Sequence, residues 1–430
     1  MKDCIKVGLI GLGTVGGGVA RVLLENEKNL GARAGVPIRL VKITTLVMKN
    51  PLPFPLADGV LTSDVNDILD NPEIDVVVEC IGGVGAALEF ARRALKSGKH
   101  FVTPNKELIA KFGAELLELA RQNGVNLCYE ASVAGGIPII HGLKNNLAAD
   151  NVRKLFGILN GTTNYILDKM TQEGAEFADA LAQAQELGYA EANPTNDVDG
   201  YDVAYKLSIL AGIAFNTAFR FEDIHFEGIR NVSASDIAFA KRLGYVIKLI
   251  ATGVDRGAAG VELRVHPTMV PVEHPLANVG GAFNAVFVEG DYIGQAMFYG
   301  PGAGSLPTAS AVAGDVVDIA MNHEIAHSHP SMTTNFGLRK SVPIGEVSCE
   351  YYLRLSVKDQ AGVLAQIATI CGDLGVSLKN VEQPEAEGGN AELILITHPV
   401  REAAMQEAIA RMGKLPVVNK VESLIRVGLA

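Results

Sequence analysis

The sequence predicts an α/β chain of three parts: a doubly wound parallel sheet, an α+β region with a mixed sheet, and a small ferredoxin-like βαββαβ unit. Three observations carry this. From residue 5 to about 135, short β-branched runs alternate with helical stretches; strand-like runs then gather late in the middle region; beyond about residue 348 one strand, helix, strand, strand, helix, strand series follows.

Taken in order, "IKVGLI" is an apolar run that leads into a helix expected to reach about Leu30. "IRLVKITTLV", "DVVVECI", "HFVT" and "VNLCYE" supply the next strands, with helices around "ALEFARRALKSG" and "ELIAKFGAELLELARQNG" between them. That order implies right-handed crossovers and a Rossmann-type nucleotide-binding domain over 1–135. In "GLGTVGGG", Gly11, Gly13 and Gly16 stand at GxGxxG spacing between the first strand and "VARVLLEN". Gly11 suits a tight turn, Gly13 lets the backbone approach a pyrophosphate, and Gly16 lets helix and strand pack closely, while the helix start offers free N–H groups. NAD or NADP fits there; the bland alternative is a glycine turn without a ligand. No acidic residue closes the second strand, and Arg39, Lys42 and Lys49 are the cations near that point, which makes NADP at least as good a fit as NAD.

Two later strand ends belong to the same expected cleft. "VECIGG" ends in Ile81, Gly82 and Gly83, and "HFVTPNKE" ends in Thr103, Pro104, Asn105 and Lys106. Lys106 is either a solvated lysine at a helix start or a group facing the cofactor.

The stretch "GYAEANPTNDVDGYDVAYKLSILAG" crowds Glu191, Asp197, Asp199 and Asp202 before an apolar helix with one lysine, Lys206. Val203, Leu207, Leu210 and Ala214 form the apolar stripe, and Lys206 lies at its edge, one turn beyond Asp202. Burial there strips water from an ammonium, while the aspartate restores and orients its charge, which are the needs of a proton donor. A structural ion pair is the competing reading. The acidic loop exceeds what capping one helix requires and suits a substrate ammonium.

The middle region, 136–305, carries "FADALAQAQEL" and the late strands "VELRVHPTMV", "AFNAVFVEG" and "GQAMFYG", a mixed sheet suited to pairing across a homodimer or homotetramer. "GPGAGSLPTASAVAGDVVDIA" turns at glycines and opens a helix, near 306–322, that returns to the nucleotide domain. A linker over 323–348 leads to the βαββαβ unit at 349–430.

The balance of the 430 residues limits the partners. A net charge of -11 disfavours nucleic acid and anionic membranes, so no nucleic-acid and no membrane partner is expected; a small molecule is. The five cysteines lack CxxC spacing and read as reduced core thiols, and the chain opens directly into a strand without a signal segment, so a cytoplasmic enzyme is expected.

"GYAEANPTNDVDGYDVAYKLSILA" resembles the signature of homoserine dehydrogenase, and "GLGTVGGGV", "TPNKELIA", "YEASVAGGIPII", "GILNGTTNYIL" and "YGPGAGSLPTASAV" resemble further segments of that family, in order, over residues 5 to about 340. The resemblance implies reversible NAD(P)H-dependent reduction of aspartate 4-semialdehyde to homoserine. It implies Lys206 as general acid, Asp202 orienting it, and Lys106 in the same site. Glu191 and Asp197 would hold the substrate ammonium, with Gly161 and Thr162, read as a strand end before a helix, meeting the substrate. Gly11, Leu12, Gly13, Thr14, Val15, Gly16, Ile81, Gly82, Lys106 and Gly302 would meet the cofactor. A sodium ion would be held by Glu130 and the carbonyls of Val133, Gly135 and Ile137; for Glu130 a buried acid bonded to backbone N–H groups is the open alternative. The carboxyl-terminal unit resembles an ACT domain, with Asp359, Gly362 and Leu364 in "DQAGVLAQI" at the amino-acid-binding turn, implying feedback by threonine or, alternatively, only a dimerisation surface. No kinase-like region precedes residue 5, so a monofunctional form is implied. Two rival readings remain: another reductase of an amino-acid-derived carbonyl or imine, and a non-catalytic amino-acid sensor, against which Lys206, Asp202, Lys106 and Glu191 together argue.

Overall fold

The computed structural model describes residues 3–45, 54–322, 337, 339–384 and 390–429. It forms two compact units: Met1–Val152, Tyr205–Phe221 and Gly290–Leu338 make the first, and Arg153–Ala204, Glu222–Glu289 and Arg339–Ala430 the second. Residues 136–152, expected with the middle region, fall in the first unit.

In the first unit, β1 (Ile5–Ile10), β2 (Ile38–Thr44), β3 (Leu61–Thr62), β4 (Val76–Glu79), β5 (His100–Val102) and β6 (Leu127–Cys128) form one sheet in the order β3-β2-β1-β4-β5-β6. Its neighbours run parallel. This is the doubly wound arrangement the alternation predicted, and the order reverses between β1 and β4, where such sheets bind ligands. The helix after β1 ends at Glu25 rather than near Leu30, and a second, Glu27–Ala34, follows and stops at Gly35, whose φ of 73° is left-handed. Helix Ser305–Met321 sets Val312, Val316 and Ile319 into the same buried cluster as Val19, Ala20 and Leu23. Gly18 makes room for it, since a Cβ there would stand 2.6 Å from the Ser305 carbonyl oxygen.

The second unit is built on β7 (Val152–Ile158), β8 (His225–Phe226), β9 (Tyr245–Asp255), β10 (Val261–Pro271) and β11 (Phe283–Gly290). Strand β12 (Gly294–Pro301) lies in the first unit. The carboxyl-terminal part adds β13 (Ser348–Lys358), β14 (Leu378–Glu382), β15 (Asn390–Thr397), β16 (Val400–Arg401) and β17 (Val418–Val427). The sheet runs β11-β7-β9-β10-β17-β13-β15-β14 and is mixed as expected: β9 and β10 are antiparallel, whereas β10 and β17 are parallel through Thr268–Arg426 and Met269–Val427. Within it, β17-β13-β15-β14 with helices Val363–Asp373 and Glu402–Met412 is the ferredoxin-like unit, closed over Ile367, Cys371, Leu355, Leu393 and Met405. The expected linker 323–348 lies mostly outside the described residues.

Candidate active site

A cavity of about 490 Å³ opens at the carboxyl ends of β1, β4 and β5 in the first unit, lined among others by Thr14, Val15, Ile81, Gly82, Lys106, Gly135, Lys206 and Gly302. These residues, all singled out in the sequence, thus share one wall system with Gly83, Pro104 and Asn105. Gly11, with φ 99°, donates its N–H to Thr44 at 2.8 Å, and a Cβ on Gly16 would stand 1.9 Å from the Gly11 carbonyl oxygen. These two glycines shape the turn itself. Gly13 has nothing within 4 Å of an added Cβ, so its bareness serves an approaching group and not internal packing. Gly13 precedes helix Thr14–Glu25, whose first turn no side chain caps among the described residues, leaving N–H groups for an anion. Those features fit a dinucleotide pyrophosphate.

Sequence reasoning missed Glu79, which organises this rim. Fully buried, it accepts hydrogen bonds from the N–H groups of Ile81 (2.7 Å) and Gly82 (2.9 Å) and from the Thr103 hydroxyl (2.6 Å). Asn105 then caps the helix beginning at Lys106 through Leu108 N–H and donates to the Gly83 carbonyl at 2.6 Å. One carboxylate in the otherwise apolar "VVVEC" was the available signal.

Lys206 is 8% exposed and Asp202 2% exposed, one turn apart in helix Tyr201–Ala214, whose Val203, Leu207 and Leu210 are fully buried. The lysine is therefore on a buried face, and it reaches the cavity wall that also carries Lys106.

In the second unit, Asp197 and Asp202 are drawn together by Asn160, whose Nδ2 donates to Asp197 Oδ1 at 2.7 Å and to Asp202 Oδ2 at 2.9 Å. Gly161 and Thr162 are the first residues of helix Gly161–Glu173 and not a strand end, because β7 stops at Ile158 and Asn160 caps the helix. Thr162 donates its hydroxyl to the Tyr189 carbonyl at 2.6 Å. Glu191 is exposed, with its carbonyl accepting from Gln185. The Asp199 carboxylate is engaged by Arg230.

The cations proposed for β2 also separate. Arg39 stands near the amino end of β2, opposite Lys6, and pairs with Glu27, so it is remote from the ligand end of the strand. Lys42 donates to the Gly59 carbonyl at 2.7 Å, and Lys49 lies outside the described residues.

Glu130 accepts the N–H groups of Ile140 (2.8 Å) and His141 (2.7 Å), while its own N–H donates to buried Asp315. Burial raises the pKa of both acids, strongly so for Asp315. Val133 and Ile137 are buried nearby in sequence; the Ile137 carbonyl accepts Ile139 N–H, and Gly135, at φ 52°, lies against Gly302. Among the described residues no group of three or more His, Cys, Asp or Glu is disposed to hold a metal. Asp359, Gly362 and Leu364 are exposed where β13 turns into helix Val363–Asp373, and Gly362 takes φ 88° there.

A doubly wound sheet, an uncapped helix behind a GxGxxG turn and a buried lysine at the cavity define an NAD(P)-dependent oxidoreductase. Family models described as homoserine dehydrogenase, as its NAD binding domain and as the ACT domain match residues 138–317, 11–130 and 351–417. The chain is 44% identical to homoserine dehydrogenase of Pseudomonas aeruginosa over 98% of each chain. It matches the structure of a homoserine dehydrogenase from Thiobacillus denitrificans with TM-score 0.94 and 43% identity over 99% of each chain. A hyperthermophilic archaeal homoserine dehydrogenase solved in complex with NADPH matches with TM-score 0.62 and 26% identity, over 73% of this chain and 97% of that one. The chain belongs to the homoserine dehydrogenase family, with a carboxyl-terminal ACT domain, and acts on the CH–OH group of homoserine in the interconversion with aspartate 4-semialdehyde.

Proposed function

We propose that Lys206 is the general acid of aldehyde reduction and the general base of homoserine oxidation. What carries this reading is the burial of that one lysine on an apolar helix while it lines the cavity with Lys106 and the glycine-turn residues Thr14 and Val15. The dinucleotide, held by Gly11, Leu12, Gly13, Thr14, Val15, Gly16, Ile81, Gly82, Lys106 and Gly302, supplies hydride to the aldehyde carbon. Lys206 Nζ gives a proton to the carbonyl oxygen as its charge develops, so that the product is a primary alcohol; oxidation reverses both transfers. Asp202 orients the ammonium. Glu191 and Asp197 bind the substrate ammonium, and Gly161 and Thr162, at an N-terminal helix turn, bind its carboxylate. The cofactor is NADP or NAD; a β2 that ends in Thr44 without a carboxylate makes NADP at least as good a fit, and the archaeal relative was solved with NADPH.

A sodium ion at Glu130 and the carbonyls of Val133, Gly135 and Ile137 is a reading from the family resemblance; Glu130 itself is a buried acid whose two oxygens accept backbone N–H groups, and the Ile137 carbonyl accepts Ile139 N–H. Threonine binding at Asp359, Gly362 and Leu364 is the regulatory reading. Exposed Tyr292 (79%), Tyr299 (52%) and Met297 (41%) support self-association to a homodimer or homotetramer. The described residues hold no helix long and apolar enough to cross a membrane.

The test is initial-rate homoserine oxidation with NADP and with NAD, for wild type and Lys206→Ala, each with and without threonine. Loss of turnover by roughly 10²–10⁴-fold with unchanged cofactor affinity is expected for the variant. Undiminished turnover would return Lys206 to a structural partner of Asp202.

A further inference from the structure

We propose that Asn160 is a positioning residue for the reaction: its side-chain amide holds Asp197 and Asp202 in one arrangement while its oxygen starts the helix that carries Gly161 and Thr162. The inference rests on the roles given above to Lys206, Asp202 and Asp197.

Asn160 lies between β7 and helix Gly161–Glu173 and is 5% exposed. Its Oδ1 accepts Thr163 N–H at 2.8 Å and the Thr163 hydroxyl at 3.0 Å. Its Nδ2 donates to Asp197 Oδ1 at 2.7 Å and to Asp202 Oδ2 at 2.9 Å. Both N–H groups and both acceptor positions of the carboxamide are thereby used. Helix capping does not by itself select asparagine, since serine and aspartate cap as well. What asparagine alone adds among good caps is a neutral group with two diverging donors. Those donors meet carboxylates from two different helices, Thr195–Val198 and Tyr201–Ala214. Two hydrogen bonds from one nitrogen hold the two carboxylates side by side and fix their orientation. Asp197 is then placed for an ammonium, and Asp202 is held one turn before Lys206. A single amide thus ties substrate binding to the state of the proton donor.

The experiment compares Asn160→Ser and Asn160→Asp with wild type in homoserine oxidation with NADP, across pH, with thermal unfolding measured alongside. Both substitutions keep a capping oxygen but lose the paired donors, so both lower the melting temperature, Asn160→Asp the more, and turnover is compared well below each variant's unfolding. The expected result is a fall in kcat of roughly 10–100-fold, as for a misplacement of about an ångström, a raised homoserine KM and an unchanged NADP KM. In Asn160→Asp the acidic limb of the pH profile also moves to higher pH, because a third carboxylate raises the proton affinity of its neighbours. A merely structural cap moves neither kcat nor the pH profile, so wild-type turnover in either variant overturns the inference. Lys206→Ala in the same series separates the two levels. A collapsed Lys206→Ala beside an unaffected Asn160 variant removes the Asn160 inference alone, and an undiminished Lys206→Ala removes the reading beneath it.

Discussion

The Gly11–Gly16 turn of the first unit is shaped by missing side chains, whereas the β10–β17 junction of the second is held by charged ones. At the turn, a Cβ on Gly11 or Gly16 would meet backbone at 2.8 or 1.9 Å, so the chain can close only if both stay bare. At the junction, Arg426 is 1% exposed, donates to Glu402 Oε1 at 2.7 Å and pairs with Glu227, while the Tyr351 hydroxyl donates to Glu402 Oε2 at 2.7 Å. Burial would raise the pKa of Glu227, yet hydrogen bonds from His225 and Arg426 hold it well below the usual carboxylate range. Arg354 repeats the device by engaging Asp236 at 2.8 Å, where Ser233 and Asp236 form the capping box of helix Ala234–Arg242. A site made by absence is local in sequence; a junction made by charge joins residues far apart and depends on every partner being present.

That contrast can be broken most severely at Arg426. Arg426→Leu strands Glu402 in a buried setting and removes a partner of half-buried Glu227, and a loss of about 3–5 kcal/mol in denaturant unfolding is expected. Adding Glu402→Gln to it recovers part of the loss; strict additivity of the two substitutions would show that the ion pair is not the cause. At the turn, Gly16→Ala costs about 3 kcal/mol, the upper end of overpacking, because the obstacle is backbone. Gly13→Ala leaves unfolding unchanged but weakens NADP binding, since its Cβ meets only open space. Equal stability losses in the two alanine variants would erase the distinction between a shaping and a receiving glycine.

A smaller effect tests the same principle in the second unit through Lys248. It is 1% exposed, donates to Asn164 Oδ1 at 3.0 Å and to the Val279 carbonyl at 2.7 Å, and burial lowers its pKa to about 8. Below pH 8 both folded and unfolded chains carry the proton, so the penalty of burying it is fully felt. Between about 8 and the ordinary lysine value of 10.5 only the unfolded chain keeps it, so stability rises with pH. Relative to Lys248→Met, the wild type should gain on the order of 2 kcal/mol over that window in unfolding followed by urea. A flat difference across it would mean that the lysine is hydrated in the folded protein.

Legibility followed the same divide. The glycine spacing, the strand ends at Ile81–Gly82 and Lys106, and the apolar helix around Lys206 could be read because each is a short-range pattern. Glu79 escaped because its partners, Ile81, Gly82 and Thr103, come from two strands that meet only in the sheet. The Asp199–Arg230 pair escaped because Arg230 lies beyond the span of any helical pattern, and Arg39 was misplaced because the run "IRLVKITTLV" does not mark where β2 begins.

By itself the sequence determined the alternation of strands and helices, the bare glycines of the nucleotide turn, the buried lysine with its aspartate one turn before, and the βαββαβ order at the carboxyl end. These follow from periodicities of two and 3.6 residues and from the conformational freedom of glycine, all of which act over a few residues. Only the tertiary structure decided that β17 continues the sheet of β10, that Glu79 ties two strand tips together, and that one amide, Asn160, serves both Asp197 and Asp202. Hydrogen bonds and ion pairs between distant residues carry no period along the chain, so nothing short of the folded geometry assigns their partners.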